Sequence, residues 1–123
     1  MQDYKKLKVW EVSHQLTILI YNETKYFPRE ELFSLTSQLR RASYSITLNL
    51  VEGCGRFTQA DKVNFFQISF ASSQELEYTL FLCKELGYLT NENFDVLNVK
   101  VIEVKQMLNA LIKTIRASYS KKS

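Results

Sequence analysis

Pro28 is the only proline in the chain, and glycine occurs only at positions 53, 55 and 87. These residues are the strongest breaks in a helical pattern, so 123 residues with so few of them must form long elements joined by rare turns. Between two of the breaks lies QLRRASYSITLNLVEGCGR, Gln38 to Arg56. Leu35, Leu39, Ala42, Ile46 and Leu50 recur at three and four residues and form one apolar side of a helix. Arg41, Ser45, Asn49 and Glu52 line its edge. Phe33, Tyr44, Leu48 and Val51, with Arg40 among them, fall opposite the core, where a surface helix is normally polar. This second apolar face requires a cover.

The same periodicity predicts three further helices. The first runs from about Leu7 to Tyr26 on Val9, Val12, Leu16, Leu19 and Ile20, and Phe27-Pro28 ends it because the residue before proline is pushed out of the α region. The second begins between Glu31 and Ser34 and ends near Gly53, with Gly53 or Gly55 expected as a left-handed cap. Thr58 caps the third, Gln59 to Leu86, with Asp61 in capping-box position, and Gly87 stops it. Its expected core stripe is Phe65, Ile68, Ser72, Leu76, Thr79, Cys83 and Leu86, yet Phe66, Phe70, Phe81, Ala71, Tyr78 and Leu82 make it apolar nearly all round. Such a helix is central in a large protein or sits in a subunit interface, and four helices leave no centre. The fourth starts near Asn91 and buries Phe94, Leu97, Val101, Val104, Leu108, Leu111, Ile115 and Tyr119, with a polar outer side. Short connections between long helices specify an all-α, antiparallel up-down-up-down four-helix bundle, one domain over residues 1–120 with a frayed tail at 121–123.

The chain carries no uninterrupted apolar run near the ~20 residues a membrane span needs, and a cytoplasmic protein is expected. Cys54 and Cys83 would be separated by about 25 residues of helical rise, ~37 Å. A disulfide needs Cα atoms within about 7 Å, so free thiols are expected. His14 is the only histidine and reads as a surface or boundary residue, leaving no nucleophile-histidine pair. Glu75 and Glu77 point apart on a helix, and neither has a partner at metal-ligand spacing. No enzyme, metal or cofactor is expected.

The elements KLKVWEVSHQLTILIY, FPREELFSLTSQLRRASYSITLNLVEGCGR and QELEYTLFLCKELGYL resemble the four-helix-bundle proteins encoded by intervening sequences of bacterial large-subunit ribosomal RNA genes. The Q-hydrophobic-RRA, N-hydrophobic-EG-x-GR and ELE motifs occur in order over nearly the whole chain, with Val51 where the family often has alanine. The resemblance implies a ring-like homopentamer. It extends to the similar accessory variability determinant proteins of diversity-generating retroelements, which implies nucleic acid and a nucleic-acid enzyme as partners.

Net charge is +3, and its distribution says more than its size. No acid follows Glu103, while Lys105, Lys113, Arg116, Lys121 and Lys122 make the C-terminal part basic, as Lys5, Lys6 and Lys8 do the N-terminal part. Arg40, Arg56, Lys105, Lys113, Arg116, Lys121 and Lys122 are therefore candidates for RNA or DNA phosphates. Gln38, Arg41, Ser45, Asn49 and Glu52 read either as part of that surface or as a boundary network, and the Glu52 carboxylate, which repels phosphate, favours the network. Tyr44, Leu48, Val51, Phe66 and Phe70 are the candidate oligomer contacts. A protein-protein scaffold that touches no nucleic acid is the alternative reading.

Overall fold

The computed structural model describes residues 2–120, so the tail at 121–123, with Lys121 and Lys122, lies outside the described residues. Four helices carry the fold: α1 (Lys8–Thr24), α2 (Ser37–Cys54), α3 (Gln59–Glu85) and α4 (Asn91–Ser120), with no strand among the described residues. α2 packs between α1 and α3, and α4 closes the bundle between α3 and α1. One core runs through it, built on Leu16, Ile20, Leu39, Ile46, Leu50, Phe66, Leu76, Leu80, Val101, Val104 and Leu108, each 0 or 1% exposed.

The α1, α2 and α4 stripes face this core largely as their periodicity predicts. α1 stops at Thr24, two residues short of the expected end, and Phe27 turns back into the core ahead of Pro28. The chain then winds through a 3₁₀ turn (Arg29–Glu31) and a π-helical turn (Leu32–Thr36) before α geometry begins at Ser37. A wider turn changes the residue-to-face register. Thr36 is buried while Phe33, three residues earlier, is 93% exposed.

α3 keeps the middle of its expected stripe, with Ser72, Leu76, Thr79 and Cys83 all buried. Its buried side also takes in Val63, Phe66, Ser69, Ser73 and Leu80, a neighbouring row that the expected stripe left out, whereas Ile68 and Leu86 face outward. A helix apolar on every side has no sequence signal for its phase, and the local shape of α2 supplies one. Gly53 is helical and buried rather than a left-handed cap, and a Cβ there would meet Phe66 Cε1 at 2.6 Å. Its missing side chain opens the place that the Phe66 ring occupies. Phe66, expected at a subunit contact, is thus wholly buried within the protomer.

Small buried residues draw α2 and α3 together. Ser69 Oγ donates to the Ile46 carbonyl at 2.9 Å, and Ser45 and Ser72 hydroxyls meet at 2.7 Å. Among the described residues no buried side-chain nitrogen or oxygen lacks a partner, which removes the largest penalty of a serine-rich seam. The ends are capped locally. Thr58 Oγ1 accepts from Asp61 N at 3.1 Å, and Thr90 Oγ1 accepts from Asn93 N at 3.0 Å. Gly87, at φ +83, lets its own N–H reach the Lys84 carbonyl and the Tyr88 N–H reach the Cys83 carbonyl, closing α3 with a Schellman motif.

Candidate nucleic-acid interface

The N-terminal segment determines where the cations gather. Gln2 N donates to the Cys54 carbonyl at 3.0 Å, and Lys62 Nζ donates to Gln2 Oε1 at 3.2 Å, so the first residues lie across the α2–α3 turn. Asp3 caps the 3₁₀ turn Tyr4–Lys6 by accepting from Lys5 N at 3.1 Å, which holds Lys5 and Lys6 at the same end. Lys5, Lys6, Lys8, Arg56 and Lys62 thereby collect around one end of the bundle, against Asp3, Glu11, Glu52 and Asp61. Toward that end Lys113 and Arg116 are exposed on α4 while adding no acid, and Arg116 borders a shallow groove with Gln67, Phe70 and Asn109. The other end has the opposite balance: Glu23, Glu30, Glu31, Glu85, Glu92 and Asp95 against Lys25, Arg29 and Lys84. A net charge of +3 conceals this end-to-end polarity.

Some residues expected on a phosphate-binding surface have partners inside the protomer. Arg40 Nε donates to Thr24 Oγ1 at 2.9 Å, and its guanidinium lies 4.7 Å from the Tyr21 ring centre, so Arg40 clamps α2 to α1. Lys105 Nζ lies 2.7 Å from Glu77 Oε1 in a half-buried pair joining α4 to α3. Arg56 remains exposed. Its guanidinium stacks 4.4 Å from the Phe65 ring centre, and Glu52 stands 3.6 Å away, a solvent-screened pair of little energetic weight.

The polar row of α2 divides. Asn49 Nδ2 donates to the Ser45 carbonyl at 2.8 Å, and Ser45 bridges to Ser72, while Gln38 Nε2 donates to Glu75. Glu52 pairs with Arg56 rather than Arg41. Arg41 is exposed and forms no ion pair among the described residues. It borders a groove with Gln38, Tyr44, Ser45, Leu48 and Glu75. Tyr44 and Leu48 are exposed, Val51 is half-buried, and Phe70 packs partly against the core.

Four features escaped the sequence reading. Lys62 joins the basic end through the N-terminal crossing, a contact no local pattern announces. Phe57, in the α2–α3 turn, is 88% exposed. Trp10 and His14, one helical turn apart, stack with ring centres 4.9 Å apart and planes 9° from parallel, while Tyr4 meets Trp10 edge-on at 4.9 Å. The fourth is an apolar outer row on α4, Val96, Val99 and Ile102, where a polar side was expected.

Both cysteines are free and buried. Burial pushes the Cys83 thiol from an ordinary 9.0 up to about 11, with the Glu31 carboxylate adding to the rise. Cys54 is also raised by burial, against a lowering by Lys62. Neither has the electropositive, depressed-pKa setting of a reactive thiol. Among the described residues no three histidine, cysteine or carboxylate side chains cluster as metal ligands, and no helix is long and apolar enough to cross a membrane.

The family described as 23S rRNA-intervening sequence protein matches residues 5–110. Among solved structures, the chain is similar to a protein of unknown function from the S23 ribosomal protein family of Bacteroides thetaiotaomicron VPI-5482. Identity is 28% and the TM-score 0.80, over 85% of this chain and 95% of that one. No curated protein matches the chain.

Proposed function

The chain belongs to the 23S rRNA-intervening sequence protein family, and from that premise we propose a non-enzymatic, cytoplasmic helical bundle that binds RNA or DNA electrostatically through its basic end. The observation that carries this reading is the separation of charge. Lys5, Lys6, Lys8, Arg56 and Lys62, with Lys113 and Arg116 toward them, outnumber the acids at the end that carries the α2–α3 turn, while acids outnumber cations at the far end, which orients the molecule toward a polyanion. Arg56 and Lys62 are the leading phosphate contacts, and Lys5, Lys6, Lys113 and Arg116 extend the footprint. Lys121 and Lys122 continue it in sequence.

The working unit is a homo-oligomer, a pentameric ring of antiparallel up-down bundles. The pairs Gln38–Glu75, Ser45–Ser72 and Ile46–Ser69 run in opposite sequence directions and support the antiparallel arrangement of α2 and α3. Tyr44 and Leu48 on α2, Tyr78 and Phe81 on α3, and Val99 and Ile102 on α4 are exposed, which leaves dissimilar apolar surfaces on different helices. Dissimilar faces suit head-to-tail closure into a ring. The same faces favour a second reading, a scaffold that docks proteins, including a nucleic-acid enzyme, and binds no nucleic acid itself.

Titration of structured RNA and duplex DNA with the purified oligomer at several salt concentrations separates the two. Affinity should fall steeply with salt, and Arg56→Ala or Lys62→Ala should each lower the salt slope by about 1. Absence of binding even at low salt removes the electrostatic reading and leaves the scaffold.

A further inference from the structure

We infer that the basic end stacks unpaired bases, so that the nucleic acid it takes is single-stranded; this rests on the nucleic-acid reading above and narrows it to a substrate class. Charge alone attracts any polyanion, and what distinguishes a single strand is the exposed face of each base. The basic end offers two aromatic surfaces to such faces. Phe57 is 88% exposed in the α2–α3 turn, with Arg56 beside it in sequence and Lys62 five residues on. Beyond the N-terminal segment that crosses this turn, Trp10 supports the exposed His14 ring in a nearly parallel stack, with Tyr4 braced against the indole edge. Lys5 and Lys6 belong to that crossing segment, between Tyr4 and Trp10 in sequence, and are exposed.

Exposure alone does not select these groups. Tyr26 and Phe33 are 87% and 93% exposed, but they flank the corner that carries Glu30 and Glu31 at the acidic end, where phosphate is repelled. Phe57 and the Trp10–His14 stack combine open aromatic surface with neighbouring cations, the pairing that single-strand binding requires. A duplex keeps its bases stacked on each other and gains only the cations.

The test compares a labelled single-stranded deoxythymidine homopolymer with a mixed-sequence DNA duplex of equal length, using fluorescence anisotropy on the full chain. Phe57→Leu retains an apolar side chain but removes the π face, and His14→Ala removes the outer ring of the stack. Each should weaken single-strand binding roughly 10-fold and leave duplex binding unchanged. Trp10, the only tryptophan, should be quenched by the single strand. Wild-type affinity in both variants, or equal losses for single strand and duplex, overturns the inference. If Arg56→Ala and Lys62→Ala weaken binding while the aromatic variants do not, the basic end stands and stacking fails. If neither nucleic acid binds at low salt, both readings fail together.

Discussion

A Cβ added to Gly53 would lie 2.6 and 2.8 Å from Phe66 and 3.2 Å from the Cβ of Phe65, inside a seam where Phe66 cannot swing into solvent. Gly53→Ala should therefore cost about 1–3 kcal/mol in chemical denaturation, and an unchanged midpoint would contradict the close approach of α2 and α3. The motif placed this glycine at a helix end, where conformational freedom is the usual reason for glycine. Its conformation is ordinary helix, and lack of volume is the reason for it here. Cys83 gives a second prediction. Its thiol is raised from 9.0 to about 11, so the folded state holds a proton that the unfolded chain releases first. Stability is fully present below pH 9 and should fall as pH rises from 9 toward 11, and Cys83→Ser, whose hydroxyl does not titrate there, should flatten that limb. A parallel decline in the variant would assign the effect to other groups.

α4 and α3 show how legible a helix is when its apolar pattern is one-sided and when it is not. Phe94, Leu97, Val101, Val104 and Leu108 face the core in the phase their spacing predicts, because they form a longer apolar row than Val96, Val99 and Ile102 on the outer side and bury more area. α3 has phenylalanine, leucine or tyrosine on all sides, so several phases bury similar area, and spacing located Ser72, Leu76, Thr79 and Cys83 in the core but not the neighbouring row of Val63, Phe66, Ser69, Ser73 and Leu80. α2 lies between these cases, with a clear core stripe and a second apolar row ending in exposed Tyr44 and Leu48. Leu48 is 54% exposed, so Leu48→Glu should leave helical content and thermal stability of the protomer nearly intact. In the ring reading it should dissociate the oligomer, measured by light scattering against the wild type. A fully assembled variant removes the α2 outer face from the contact.

For the molecule as a whole, the number of helices, their approximate ends and most of the core were readable from the chain, because helical periodicity and a few breaks are local properties. The motifs likewise carried the family. The candidate site was legible only in its ingredients: lysines near both chain ends and the Arg56 turn stood out, but Arg40 and Lys105 were grouped with them by charge alone. Tertiary packing withdrew Arg40 into a clamp on α1 and Lys105 into a pair with Glu77. It added Lys62 by laying the N-terminal segment over the α2–α3 turn, and it separated a basic end from an acidic one. The distinction is physical. Helix formation and amphipathicity depend on residues three or four apart, whereas which cations remain free and which apolar faces remain open depends on the distant segments that arrive beside them.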